Sequence, residues 1–503
     1  MRRPSRCLPL TLLALLLSAG PVGALELDLP RAIALGLEKN LGLKAEAESV
    51  PQAAAGRDAA DAAFDPTLRL SAQTKGEKTP IASPFVGADA LLEKTVELET
   101  GLEKRFATGL NADLSLGSTR TTSNDSFAGL DPEYRSRLVL TLTQPLLRDF
   151  GTEVNRAGIR QAELLRQQAR LDYRRNAQQL AATIETACLN LLQAEEERAY
   201  RQQALELARQ LLDGNRRKLA LGQVPKTEVQ QAETALAARE ELLLLAQQQV
   251  DLAREQLLDL LELPPGTELR LNPADEKDTG LDADRALVLA HEHRPELRQA
   301  ALALDSTGID LQLADNRLRP RLDARLSAGI NGLSGTASNG GTSSYTGTWS
   351  DSLSSGADRD GYQWQAGLVL RYPLGNRSAR AEKASAESRR RQQRYRLERL
   401  ERRIATETRQ AWLALQTSRK RLEVAARTAE LARQTLEQEN RRLEAGLSDS
   451  FRLLILQDDL IEARIRQAQA RGDAARNQTA LLLATGTNLI ERGIELRLPE
   501  EEL

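Results

Sequence analysis

The residues best suited to chemistry in this 503-residue chain are its only two histidines, His291 and His293, in "LAHEHRPEL". Imidazoles can ligate a metal or carry a proton, but a spacing of two on a helix sends them to different faces. The HExxH arrangement of a zinc hydrolase is absent, and so is any glycine-rich phosphate loop. A Ser/His/Asp triad cannot be assembled around so few histidines. Cys188 falls between Ile184 and Leu191 on an apolar stripe, where a thiol is expected as a small packed residue. The basic run "RRRQQRYRLERLERR" (389–403) is interleaved with Glu398 and Glu401 and reads as a solvated helix face. No catalytic, cofactor or metal site is expected, so any function must lie in the surfaces that long elements present.

Those elements are set by composition. The chain is 28% charged, 41% hydrophobic and only 3% aromatic, long enough for two or more domains but poor in the side chains that fill thick cores. Arg2, Arg3 and Arg6 precede the apolar run "LPLTLLALLL", and small residues follow at Val22 and Ala24. This pattern predicts a signal peptide over 1–24, with the run too short for the ~20 residues of a spanning helix. Cleavage removes Cys7 and leaves Cys188 alone, so no intrachain disulfide is expected. Losing three arginines takes the formal charge from −2 to −5, which argues against nucleic-acid binding. No later stretch approaches ~18 consecutive apolar residues, so membrane entry would have to use strands.

The rest of the chain reads as one plan written twice. "ACLNLL" and "AWLALQ" place Cys188 and Trp412 224 residues apart, the same offset as Gly222 and Gly446 in "RKLALGQ" and "RRLEAGL". "RAIALGLEKNLGLKA" (31–45) is echoed by "RALVLAHEHRPELRQA" (285–300) at an offset of 254. The first repeat is expected over 25–262 and the second over 283–488, joined by a linker at 263–282 and followed by a tail at 489–503. Each repeat should run through short helices and strands (about 67–146 and about 320–372) into a long helical hairpin (about 153–262 and about 376–485). Gly222 and Gly446 are placed to end the outgoing helices with positive φ. At ~1.5 Å per residue those helices reach roughly 100 Å. Leu415, Leu422, Ala429, Leu436 and Leu443 repeat every seven residues, a seam for supercoiling against a neighbour. An ordinary coiled coil in solution accounts for the helices equally well.

The strands separate these readings. In "GYQWQAGLVLRYPL", Tyr362, Trp364, Ala366, Leu368, Leu370 and Tyr372 share one face, an apolar band with aromatics at both ends. That is what a membrane strand shows to lipid. "PRLDARLSAGI" and the Leu138, Leu140, Leu142 and Leu68, Leu70 sets alternate similarly. Pro145 and Pro373, lacking a donor, mark where sheet pairing should give way to helix. Two strands per repeat make four per chain, too few to close, so several copies must share one barrel. The alternation at 95–119 reads as one more hairpin, whose place in the barrel is left open, and the Gly/Ser/Thr-rich stretch 331–360 as a long outer loop. The expected fold is mainly α with membrane β: an internally duplicated chain forming an oligomeric β-barrel continued by a periplasmic α-helical tunnel.

In "LPRAIALGLEKNLGLKA", the "QPLL" and "YPLGN" junctions, and the paired turns "LALGQVPKTEV" and "LEAGLSDSFRLL", the sequence resembles the TolC-like outer-membrane efflux protein family over nearly the whole mature chain. The resemblance implies a bacterial outer-membrane exit duct of an efflux or type I secretion system, with most of the chain in the periplasm. It also implies a homotrimer, a 12-stranded barrel with four strands per chain, a periplasmic adaptor (membrane fusion) protein and an inner-membrane transporter of RND or ABC type. It places the helical turns at the periplasmic entrance, making Gln223, Lys226, Glu228, Ser448, Asp449 and Arg452 candidate entrance residues. Glu228 matches an acidic position of the first turn. Arg452 and Ile455 stand where some members carry aspartates, so a cation-blocking aspartate ring is not expected to be reproduced. The competing reading is a soluble periplasmic coiled-coil structural or adaptor protein; an adaptor should carry one hairpin flanked by β-domains, whereas two hairpins and aromatic-edged strands are present.

Overall fold

The computed structural model describes residues 25–81, 89–272, 280–338, 343–358, 361–445 and 447–497. The predicted signal segment, Gly446, the middle of the linker and the last six residues therefore lie outside the described residues. Twelve α-helices and eight strands follow one another among the rest. The helices are α1 (Leu29–Lys39), α2 (Leu41–Ala47), α3 (Ser49–Asp61), α4 (Thr152–Asn155), α5 (Ala157–Ala220), α6 (Lys226–Leu260), α7 (Ala283–His293), α8 (Pro295–Leu318), α9 (Trp349–Ala357), α10 (Arg377–Glu444), α11 (Ser450–Thr485) and α12 (Asn488–Glu491). The strands are β1 (Leu25–Leu27), β2 (Thr67–Pro80), β3 (Ala90–Arg105), β4 (Asn111–Ser123), β5 (Leu130–Pro145), β6 (Leu269–Leu271), β7 (Arg321–Ala337) and β8 (Gly361–Arg371). They divide between two compact units. One gathers the residues up to Glu46 with Arg174–Arg294 and Arg403–Arg497; the other gathers Ala47–Tyr173 and Pro295–Arg402.

The first unit is built on two helical hairpins, α5 from Arg174 onward with α6 and α10 from Arg403 onward with α11. With no proline from α4 to the end of α5, the ladder of α5 continues unbroken for 64 residues, and that of α10 for 68. Gly222 ends the first at φ 74°, where Gln223 N–H donates to Lys218 O and Gly222 N–H to Leu219 O. These bonds satisfy the last carbonyls, and a Cβ at Gly222 would oppose that dihedral. The seven-residue seam turns inward as its spacing predicts: Leu415, Ala429 and Leu436 are buried, as are Ile404 and Ser418 on the adjacent row. The main core joins α1 to the α5–α6 hairpin, packing Leu29, Ala32 and Ile33 against Ile184, Leu191, Leu257, Leu258 and Leu261. Gly36 permits that approach, since a Cβ there would stand 2.3 Å from Ile184 Cδ1.

Duplication shows at the caps. Asp28 accepts from Arg31 N at 2.9 Å to start α1, and Asp282 accepts from Arg285 N at 2.6 Å to start α7. Each satisfies a donor that the first helical turn leaves unpaired. The linker region is more ordered than its composition suggests: β6 pairs in parallel with β1, Leu25 opposite Leu269 and Leu27 opposite Leu271. The stretch after α1 folds as two short helices, α2 ending at Ala47 and α3 beginning at Ser49.

In the second unit six strands form one antiparallel sheet, ordered β2-β3-β4-β5-β7-β8. Two expectations need correction here. Each chain supplies six strands to this sheet and not four, because the 95–119 hairpin, as β3 and β4, is inserted between β2 and β5. The outer loop is also shorter than expected: β7 continues to Ala337, and α9 occupies Trp349–Ala357 with a capping box between Thr348 and Asp351. Pro145 closes β5 but does not stop pairing at once. Leu146 N–H donates to Leu322 O and Arg148 N–H to Pro320 O before α4 begins. A proline removes only its own donor, and its neighbours keep theirs. The turn from β8 to α10 runs through Pro373, Gly375 at φ 87° and Asn376 at φ 39°.

Candidate functional site

Period-2 alternation and the observed registers assign each side chain of the sheet to one of two faces. Even-numbered residues pair with even-numbered residues across all five interfaces, except where a register shift before Glu133 sets Leu130 opposite Ala337, so one face is even along the rest of the sheet. One row runs Leu68, Leu102, Leu114, Leu140, Ala328 and Trp364; the next runs Leu70, Thr100, Leu116, Leu138, Ile330 and Tyr362. Large apolar side chains here are open in the single chain, Trp364 at 72% and Leu68 at 74%. Leu368 and Leu370 continue the face along β8, and Tyr372 follows just beyond its end, 48% exposed. A contiguous apolar surface of this size, edged by aromatics, is what a strand face suited to lipid presents.

The odd face is polar. It carries Arg69, Glu97, Glu99, Glu103, Asp113, Arg135, Arg137, Arg325 and Gln363, with Val139 and Val369 among its few apolar members. It is also the concave side: Glu97, Glu99, Ser115, Thr119, Arg137 and Gln363 line a hollow of about 630 Å³. Neighbouring strands exchange charge across it. Arg69 Nη2 meets Glu99 Oε1 at 3.1 Å, and the fully buried Asp323 of β7 takes Arg321 at 3.0 Å and Arg371 of β8 at 3.4 Å. An apolar outside and a charged, hydrated inside are what a channel wall requires.

Toward the far end of the strands the even face changes to Ser118, Ser136, Gly332 and Ser334, and α9 covers it. Ser136 and Ser352 share a hydrogen bond of 2.7 Å, Trp349 Nε1 donates to Ser118 Oγ at 2.6 Å, and Ser334 Oγ donates to Thr348 O at 2.6 Å. Gly332 is what lets the helix lie so close, because a Cβ there would stand 1.8 Å from Ser352 O. Gly332→Val should therefore displace α9 while leaving the strand ladder paired. Faster proteolysis within 343–358 on folded protein is the expected result, and an unchanged cleavage rate would contradict this packing.

The candidate entrance residues lie at the helical turns of the first unit. Gln223 and Lys226 are exposed and Glu228 is half-buried in the first turn of α6. Asp449 is occupied as the cap of α11, accepting from Arg452 N at 2.8 Å. Arg452 reaches back to α10, its Nε 3.1 Å from Glu439 Oε1, and Ser448 Oγ donates to the same carboxylate. Leu447 N–H donates to Arg442 O, the same five-residue reach as Gln223 to Lys218 in the other turn; Gly446 lies outside the described residues. The two hairpins meet close by, where Ser450 Oγ contacts buried Asn215 at 3.2 Å and Leu211 packs with Leu436 and Leu453. Glu439 was not among the residues singled out in the sequence. Its position in "LEQENRRLE" resembles that of its charged neighbours, and only the packed hairpin shows it 6% exposed.

The strand-to-helix junctions depend on three asparagines equally unmarked in the sequence. Asn155 Nδ2 donates to Asp149 O and Gly151 O, Asn316 Oδ1 accepts from Asp149 N, and Asn376 Nδ2 donates to Leu318 O. They satisfy backbone groups that neither ladder nor helix can reach. Cys188 is buried, and desolvation, helped by nearby Glu185, pushes its thiol up to about 12. A thiol so held stays protonated and unreactive. Among the described residues no helix is long and apolar enough to cross a membrane, and no group of three or more His, Cys, Asp or Glu could hold a metal ion.

The comparisons with known proteins agree with this arrangement. No curated protein matches the sequence. Among solved structures, the CmeC outer membrane channel of Campylobacter jejuni is similar at 16% identity and a TM-score of 0.65, covering 92% of this chain and 86% of that one. The outer membrane protein VceC of Vibrio cholerae is similar at 16% identity and 0.64, covering 91% and 96%. The MtrE outer membrane channel of Neisseria gonorrhoeae, in its open state, gives 16% identity and 0.60, covering 92% and 89%. At such identities the likeness speaks for the fold. The family model for outer membrane efflux proteins matches residues 103–262 and 286–487, taking in both helical hairpins and four of the six sheet strands in whole or nearly so. With that match over most of its length, the chain belongs to the outer membrane efflux protein family and is an efflux exit duct of the outer membrane.

Proposed function

We propose that three copies of the chain assemble into one passive conduit, the sheets forming a shared barrel and the helical hairpins a periplasmic tunnel that receives cargo from an adaptor protein and an inner-membrane pump of RND or ABC type. The observation that carries this reading is the two-faced sheet: six paired strands with an apolar even face, a charged concave odd face and unpaired edges. A soluble coiled-coil scaffold would have to leave Leu68, Leu70, Trp364 and Leu368 in water. Energy for transport comes from the pump, and the chain acts without catalysis of its own. Fractionation tests the assignment: extraction from outer membranes by detergent as a heat-sensitive oligomer is expected, and release by osmotic shock would contradict it.

The entrance is proposed to lie at the α5–α6 and α10–α11 turns, with Gln223, Lys226, Glu228, Ser448, Asp449 and Arg452 narrowing it. Glu439 supports this reading by holding Arg452 across the second hairpin, which would keep that turn drawn in. Removing both charges, in Arg452→Ala with Glu228→Ala, is expected to raise single-channel conductance several-fold. Glu439→Gln should act in the same direction. Because Glu439 is buried, Arg452→Ala also strands a carboxylate, so conductance is compared only between variants that denaturant melts show to be folded. Unchanged conductance in both variants would remove these residues from the gate.

A further inference from the structure

We propose that the β3–β4 hairpin is a working part of the barrel wall, so that each copy contributes six strands, and that the β8 edge of one copy pairs with the β2 edge of a second copy. With the three copies proposed above, on which the total rests, eighteen strands close the barrel. Several observations carry this. The hairpin is paired as fully as its neighbours, from Thr67–Pro80 on one side to Asn111–Thr121 on the other, without a register shift. It also keeps the faces in phase. Leu98, Leu102, Leu114 and Leu116 continue the apolar surface from Leu68 and Leu70 to Leu138 and Leu140, while Glu97, Glu99, Glu103 and Asp113 continue the polar one. A hairpin folded over an existing wall would bury one face; here both faces stay open apart from Ser118, which Trp349 of α9 covers, and β2 touches β5 nowhere in the strand order. Withdrawing the hairpin would leave two additional open edges inside each copy.

The outer edges identify the partner. Every residue of β2 is exposed, and β8 is exposed at all but two positions. Unpaired backbone groups cannot face hydrocarbon, so both edges must be bonded in the membrane. Six antiparallel strands place β2 and β8 in opposite directions, so an edge-to-edge contact between copies is antiparallel and preserves the alternation all round. The same contact joins the even, apolar face of one copy to the even, apolar face of the next, at the stagger that the strand tilt imposes. A second copy of this chain satisfies all of these conditions. Barrel diameter grows roughly linearly with strand number. With strands ~4.8 Å apart and tilted ~40°, eighteen give a backbone diameter of about 36 Å, against about 24 Å for twelve.

Paired cysteines in the full-length protein, in outer membranes and in a Cys188→Ala background, provide the test. Leu114→Cys with Leu140→Cys should cross-link within one copy through a short bifunctional thiol reagent, and Leu68→Cys with Leu140→Cys should not. The reverse pattern would show β2 against β5 and overturn the six-strand wall. Pairs joining Leu68, Leu70 or Ala72 to the even positions of β8 from Tyr362 to Leu370, scanned in turn, should give at one register a covalent ladder that ends at three copies. A ladder ending at another number, with the Leu114 and Leu140 pair still joined, would refute the trimer and leave six strands per copy standing. Should the cysteine variants fail to assemble, end-on electron micrographs of the unmodified oligomer decide: a ring near 36 Å supports the inference, and one near 24 Å overturns it.

Discussion

Leu140→Arg should abolish the assembled oligomer, whereas Thr141→Arg, one residue along β5, should leave it intact. Leu140 lies on the even face between Leu114 and Ala328, and Thr141 points to the charged side. An arginine facing lipid near the middle of a membrane barrel costs about 2–4 kcal/mol, and symmetric assembly charges that cost once per copy. The same residue on the odd face joins Arg135, Arg137 and Arg325 in water. Yield of heat-sensitive oligomer from outer membranes reads the difference. Equal loss in both variants would mean that the two faces of the sheet are not in different solvents.

Arg492→Leu should cost about 3–5 kcal/mol, the usual effect of stranding a buried charge. The residue stranded is Glu185 of α5, whose side chain is 2% exposed. Its carboxylate is ion-paired with Arg492, which follows α12, and accepts from Thr479 Oγ of α11 at 2.6 Å. With Arg492 gone, a hydroxyl alone remains for a full negative charge. The low end of the range is expected, because the Arg492 side chain keeps 21% of its surface in water and gives back less on removal. Glu185→Leu combined with Arg492→Leu should recover most of the loss, since a buried pair is often replaceable by apolar residues at little net cost. Denaturant melts of the detergent-solubilised protein provide the cycle; additive losses in the double variant would show that the two residues do not act as a pair.

The sequence disclosed most where a single period controlled the outcome. The β8 alternation from Tyr362 to Leu370 set its faces correctly because each even position is apolar or aromatic, and the Leu415 to Leu443 spacing placed the α10 seam for the same reason. The β3–β4 hairpin was legible as a hairpin but not as wall. Lys94, Thr100 and Lys104 interrupt its even face, so periodicity alone could not assign its sides; register with Leu70 and Leu138 puts its even positions on the apolar face. Helix α9 was concealed in a Ser/Gly/Thr-rich stretch with little helical propensity, and what stabilises it is tertiary: Ser136, Ser118 and the missing side chain at Gly332. The helical turns show the same limit. Asp449 reads as an acidic site residue, yet its carboxylate caps a helix, while Glu439, unremarkable in sequence, is turned inward by a partner thirteen residues later in the other arm.

A duct wall of this kind requires adjacent strand residues to stand in different solvents. Nitroxide labels placed singly at 114, 116, 140 and 364, and at the odd neighbours 115, 117, 141 and 365, measure this directly through relaxation by oxygen, which concentrates in lipid, and by a water-soluble nickel chelate. The even set is expected to respond to oxygen and the odd set to nickel, alternating along β4, β5 and β8 alike. A uniform response to nickel at every position would contradict the lipid-facing wall, and with it the exit duct.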